Sequence, residues 1–131
     1  MLFCHQLTLG VYRFAKTGQR KLPEIREAAV FAKLLKVNRS LVGDYDARRA
    51  IPPALYDVFG CFDAAGRITH SAIVVQAAPE PVIAELAGNK VQQNPLSRML
   101  RPEEGVSLYT APVLRELHAM IPHYVKLFRL V

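Results

Sequence analysis

Apolar residues change their spacing along this chain near Leu55. Before that point Ile25, Ala28, Ala29, Ala32 and Leu35 recur every three or four residues, which predicts a helix from Glu24 to about Lys36 with one buried stripe. Pro23 suits a first helical turn, where a missing amide costs nothing, and the Glu24 carboxylate suits the positive helix end. Asn38 or Ser40 can cap a second helix that carries Leu41, Val42 and Tyr45 inward, and Ile51-Pro52-Pro53 must end it. Ahead of this pair, residues 7–14 (LTLGVYRF) mix β-branched and aromatic side chains. They predict an opening strand, with a short helix as the alternative, before the polar loop Lys16 to Lys21.

From Leu55 the pattern is that of strands. Leu55 to Phe62 is rich in strand formers, Asp63-Ala64-Ala65-Gly66 reads as a turn, and Ile68 to Val75 reads as the returning strand. Pro79 and Pro81 then open PVIAELAG, a predicted helix that Gly88 would terminate. Residues 89–106 are polar and read as an excursion over the surface. Ser107 to Tyr109 reads as a short strand, Val113 to Ile121 as a helix, and Tyr124 to Val131 as a last strand whose free edge would suit pairing into a homodimer. The expected fold is α+β in a single domain, 1–131: an N-terminal helix pair packed with a small, mostly antiparallel sheet and two later helices. Val58, Cys61, Ile73, Val75, Val82, Leu86, Leu114, Leu117, Leu127 and Leu130 should supply much of its core.

Composition fits such a domain, with 51% hydrophobic and 21% charged residues in 131. Seventeen Lys and Arg against 11 Asp and Glu give a formal charge of +6, which favours phosphate-rich partners. That excess lies mainly between Arg13 and Arg49, so a basic surface must be assembled by the fold. No segment has the length of a membrane span and the N-terminal residues lack a signal-peptide pattern, so the expected setting is the cytoplasm, without a membrane partner. Cys4 and Cys61 match no zinc or CxxC spacing, and each is expected to be a buried free thiol.

Residues 28–52 resemble the helix-turn-helix of phage repressors. Phe31, Ala32 and Leu35 would form the inner face of the supporting helix, Val37 would fill the turn, and Val42 and Tyr45 would anchor the second helix, which Pro52 closes. The resemblance, placed in a subregion at 24–53, implies a DNA-binding regulatory protein. Asn38, Arg39 and Ser40 would then meet base edges while Lys36, Arg48 and Arg49 hold phosphates. Lys36 stands where that family places glycine, and Asp44 puts a negative charge on the proposed face. The alternative for the same residues is a helix pair packed on a sheet with a solvated basic face, available to an acidic protein partner.

The order of elements along the whole chain is similar to a reduced GCN5-related N-acetyltransferase or a toxin-activating acyltransferase. That resemblance implies acyl transfer. Gln76 matches the polar lead of the pyrophosphate loop, but Pro79 and Pro81 replace its glycines, so no cofactor is implied. His70 is the candidate general base, with Asp57 or Glu80 as its orienter and Tyr109 as an acid; otherwise His70 is a half-exposed sheet residue and Tyr109 a packing residue. His5, His70, His118 and His123 form no ligand-like cluster in the sequence, and no metal site is expected.

Overall fold

The computed structural model describes residues 3–38, 53–98 and 105–129. Three helices pack with a five-stranded antiparallel sheet. In chain order the elements are α1 (Phe3–Thr17), α2 (Ile25–Val37), β1 (Val58–Phe62), β2 (Ile68–Gln76), β3 (Val82–Ala87), β4 (Lys90–Pro95), a 3-10 turn at Leu96–Arg98, β5 (Gly105–Tyr109) and α3 (Ala111–Arg129). The strands lie in the order β4-β3-β2-β1-β5. Every described neighbour pair is antiparallel, so the α+β expectation holds with one helix after the N-terminal pair.

The second helix forms where its periodicity predicts. Glu24 is its N-cap, and a capping box links Glu24 with Glu27, whose Oε1 accepts from the Glu24 amide at 3.2 Å. Ala28, Phe31, Leu34 and Leu35 turn inward from α2. They join Leu9 and Tyr12 of α1, Val58, Ile73 and Tyr109 of the sheet, and Leu114, Leu117 and Ile121 of α3 in one core. Alternate residues of the same strands build a second apolar cluster from Phe59, Cys61, Ala72, Val74, Ile83, Val106 and Leu108. Arg13 ties the helices together, pairing with Glu27 at 2.5 Å and donating Nε–H to Nε2 of His118 at 3.1 Å.

Several expectations are corrected. Residues 7–14 belong to α1: His5, Thr8, Leu9 and Tyr12 are buried at helical spacing, and that packing outweighs the strand preference of Val11 and Tyr12. Leu55 and Tyr56 form a turn before the hairpin, held by the Asp57 carboxylate accepting the Ala54 amide at 2.8 Å. PVIAELAG is not a helix but strand β3. Gly88 and Asn89 take φ of 56° and 65° and turn the chain straight into β4, so residues 90–95 are sheet rather than surface excursion. The predicted last strand, from Tyr124, continues α3 through Pro122, which leaves β4 and β5 as the outer strands among the described residues. Of the expected core, Val58, Cys61, Ile73, Leu114 and Leu117 are buried; Val75, Val82 and Leu86 are half-buried, Leu127 is exposed, and Leu130 lies outside the described residues.

Candidate active site

The first turn of α1 brings Cys4 against β2. The β2–β3 ladder runs from Gln76↔Val82 only to Ile73↔Ala84, short of Ser71 and Glu85, and α1 touches both strands. Cys4 is 5% exposed, and its thiol lies in hydrogen-bonding contact with the imidazoles of His5 and His70. Nε2 of His70 sits 2.8 Å from Oε1 of Glu85 on β3. A carboxylate oxygen accepts, so Nε2 carries the hydrogen and Nδ1 is the nitrogen left for the thiol. The other Glu85 oxygen, Oε2, accepts from Nδ2 of Asn94 on β4 at 3.2 Å, and Asn94 Oδ1 accepts from Arg98 at 3.3 Å. Thiol, imidazole, carboxylate and amide thus follow one another across four elements.

The electrostatics match this order. Burial opposes ionisation of the Cys4 thiol, but hydrogen bonds from His5 and His70, with their positive charge, outweigh it and bring the pKa from an ordinary 9.0 to about 5. Burial likewise opposes the charged form of His70, yet bonds to Cys4 and Glu85 raise its pKa above the ordinary 6.5. Near neutrality the Cys4 thiol is therefore held as its thiolate, beside an imidazole whose protonated form is favoured. The position of Cys4 helps in a second way, because the first amides of a helix have no intrahelical acceptor and form its positive end.

A short relay of hydroxyls lies behind the thiol. His5 Nδ1 is 2.8 Å from Ser71 Oγ, Ser71 Oγ is 2.9 Å from Thr8 Oγ1, and the Thr8 hydroxyl donates to the Cys4 carbonyl at 3.0 Å. All four residues are buried. Along the outer flank of α1 runs an open groove of about 420 Å³, lined by Leu7, Val11, Phe14 and Leu22 with Arg20 and Lys21 at its rim. Leu7, three residues after Cys4 in α1, is among its lining residues, whereas Cys4, His70 and Glu85 are not.

Of the residues expected from sequence, His70 stands in the constellation with Glu85 as its partner, in place of Asp57 or Glu80. Asp57 instead holds the turn before β1, and Glu80 is exposed. Tyr109 is wholly buried and donates its hydroxyl to the Leu35 carbonyl at 2.5 Å, which is a structural bond to the end of α2. Lys36 is exposed on the last turn of α2. Asn38 closes that helix, with its side-chain Nδ2 donating to the Leu34 carbonyl at 2.8 Å. Arg39, Ser40, Arg48 and Arg49, and with them the second helix of the proposed DNA reader, lie outside the described residues. Cys4, Glu85 and Asn94 were absent from the sequence-based site. The Cys4-His5 pair was a usable signal, but Glu85 had been placed on a helix and so could not be paired with His70.

Comparison with protein-family models, with curated proteins and with solved structures gave no match. The chemistry of the site therefore carries the functional reading. No described helix is long and apolar enough to cross a membrane.

Proposed function

We propose that the protein is a cysteine-dependent acyl-transfer enzyme acting on an amide, ester or thioester carbonyl. The observation that carries this reading is the sequence of contacts from Cys4 to His70 to Glu85 to Asn94. The Cys4 thiolate attacks the carbonyl carbon and forms a C–S bond, and the carbonyl electron pair moves onto oxygen. The amides of the first turn of α1 are suited to that oxyanion. As the intermediate collapses, the bond to the leaving group breaks and His70 gives that group its proton through Nδ1. Water or another acceptor then loses a proton to His70, attacks the thioester, and releases the Cys4 thiolate. Glu85 holds the imidazole in the required tautomer and supports its charge, while Asn94 fixes the carboxylate.

This reading stands ahead of DNA recognition because its groups are mutually in bonding contact. The Asn38 amide, expected to meet a base edge, is instead engaged in ending α2. The test is a panel of p-nitrophenyl esters, aryl amides and acyl thioesters, with intact mass spectrometry for an acyl adduct. The parent should accumulate the adduct on Cys4 and turn over; Cys4→Ala should do neither, and His70→Gln should lower kcat about 10²- to 10⁴-fold. Turnover by Cys4→Ala at the parental rate would end the proposal.

A further inference from the structure

We infer that the groove along α1 is a binding site for a single-chain anionic amphiphile, a fatty-acid anion whose carboxylate meets Arg20 and Lys21 while its alkyl tail lies on Leu7, Val11, Phe14 and Leu22. The site shares no residue with the constellation at Cys4, so the inference stands apart from the acyl-transfer reading. Its inner wall is the side of α1 on which Leu7, Gly10, Val11 and Phe14 recur at steps of three and four residues, with exposed Phe3 one turn ahead. Its outer wall is the chain doubling back. Gly18, at φ 74°, ends α1 with its amide on the Phe14 carbonyl at 2.8 Å, and residues 19–22 then run back beside the helix. Pro23 pins the far end: Gln6 Nε2 donates to its carbonyl at 2.9 Å, and its Cδ lies 3.1 Å from the place a Cβ on Gly10 would occupy. A side chain at position 10 would press the two walls apart.

Charge and size choose the ligand. The Arg20 guanidinium lies over the Phe14 ring, 5.8 Å from its centroid, which puts the cation at the Phe14 end of the apolar floor. A ring face supplies no lone pair, and among the described residues no carboxylate pairs with Arg20 or Lys21. Glu27, whose ionised form Lys21 favours, is already bonded to Arg13. The N–H fork of Arg20 is thus open to a carboxylate in bidentate geometry, with the Lys21 ammonium beside it as a second positive charge. The volume of about 420 Å³ falls among small-molecule sites, which run from about 300 to 1,000 Å³. Leu7 to Phe14 spans only about 10 Å of helix rise, too little for a protein interface, which takes about 20–30 residues a side. An apolar floor with cations at one end complements a molecule that is apolar along its length and negative at one end.

The experiment is isothermal titration calorimetry of the full chain with dodecanoate below its micellar concentration. Two controls run beside it: dodecyltrimethylammonium keeps the tail and reverses the head, and acetate keeps the head alone. Dodecanoate should saturate at one per chain, and each control should bind at least about tenfold more weakly. The double variant Arg20→Gln with Lys21→Gln, and separately Leu22→Asp, should each weaken dodecanoate binding at least about tenfold. All three positions are exposed, and urea unfolding checks that each variant folds as the parent does. Absence of saturable dodecanoate binding, equal affinity for dodecyltrimethylammonium, or parental affinity in either variant would overturn the inference. Co-sedimentation with phosphatidylglycerol vesicles by a chain that does not bind monomeric dodecanoate would overturn it in favour of a membrane-facing surface. Concentration-dependent dimerisation abolished by Leu22→Asp would overturn it in favour of a second copy. None of these measurements depends on turnover, so they leave the test of Cys4 untouched.

Discussion

Replacing Cys4 with serine should change how stability responds to pH, by an amount that follows from the ion pair. In the unfolded chain the thiol ionises near 9.0 and the imidazole near 6.5; in the folded protein the thiol ionises near 5 and His70 above 6.5. Between about pH 5 and 6.5 the unfolded pair binds two protons and the folded pair one, so stability rises with pH. Each pH unit contributes about 1.4 kcal/mol, and the interval gives about 2 kcal/mol. Above pH 6.5 the raised pKa of His70 offsets the thiol's share, because the folded state keeps an imidazolium proton that the unfolded state has lost. In Cys4→Ser the thiol's share vanishes, so the rise between pH 5 and 6.5 is lost. His118, whose pKa is lowered by burial and by Arg13, adds a rising slope over the same region, but equally to both proteins. Urea unfolding of parent and variant at half-unit intervals from pH 4.5 to 8 measures the difference. Parallel curves between pH 5 and 6.5 would refute the thiolate–imidazolium assignment.

Three further outcomes test the fold that holds the site. Leu117→Ala, at a fully buried position of α3, should cost about 2–5 kcal/mol in denaturant unfolding. Tyr109→Phe strips the Leu35 carbonyl of its hydroxyl partner and should cost about 1–3 kcal/mol, while leaving the pH profile of Cys4 alkylation unchanged; a shifted profile would give Tyr109 a part in the chemistry. Gly88→Val places a branched side chain at φ 56° in the β3–β4 turn and should cost about 1–3 kcal/mol by thermal unfolding, whereas an unchanged Tm would contradict the turn geometry.

Much of the architecture is legible in local patterns, and the failures have a common origin. Helix α2 and the β1–β2 hairpin are self-announcing: the first has a buried stripe and an acidic start, the second has two runs of strand formers around Asp63 to Gly66. Strand β3 is different, because Ala84, Glu85, Leu86 and Ala87 favour helix in isolation and only pairing with β2 and β4 makes them sheet. Gly88 misleads for the same reason, since a left-handed residue ends a helix and turns a hairpin equally well. In α1 the helical spacing of Leu9 and Tyr12 was present but was outweighed by composition. The last helix was expected to end at Ile121, yet α3 runs on through Pro122 to Arg129, burying Val125 on the same face as Leu114, Leu117 and Ile121. These errors propagate to the site. His70 was recognisable as a base, but its carboxylate partner comes from the misread strand, and the thiol from the misread first helix.

The spacing of these groups along the chain has a kinetic consequence. His5 and Ser71 are 66 residues apart in sequence, and Cys4 meets His70 over an equal span. While a ribosome is still making the sheet, the sulfur emerging ahead of it is an ordinary thiol, mostly protonated and slow to react. On the acyl-transfer reading, its low pKa is acquired only when α1 docks on β2, a long-range closure of the chain. Alkylation of Cys4 below pH 7, where an ordinary thiol stays protonated, would then report the docking of α1 on β2.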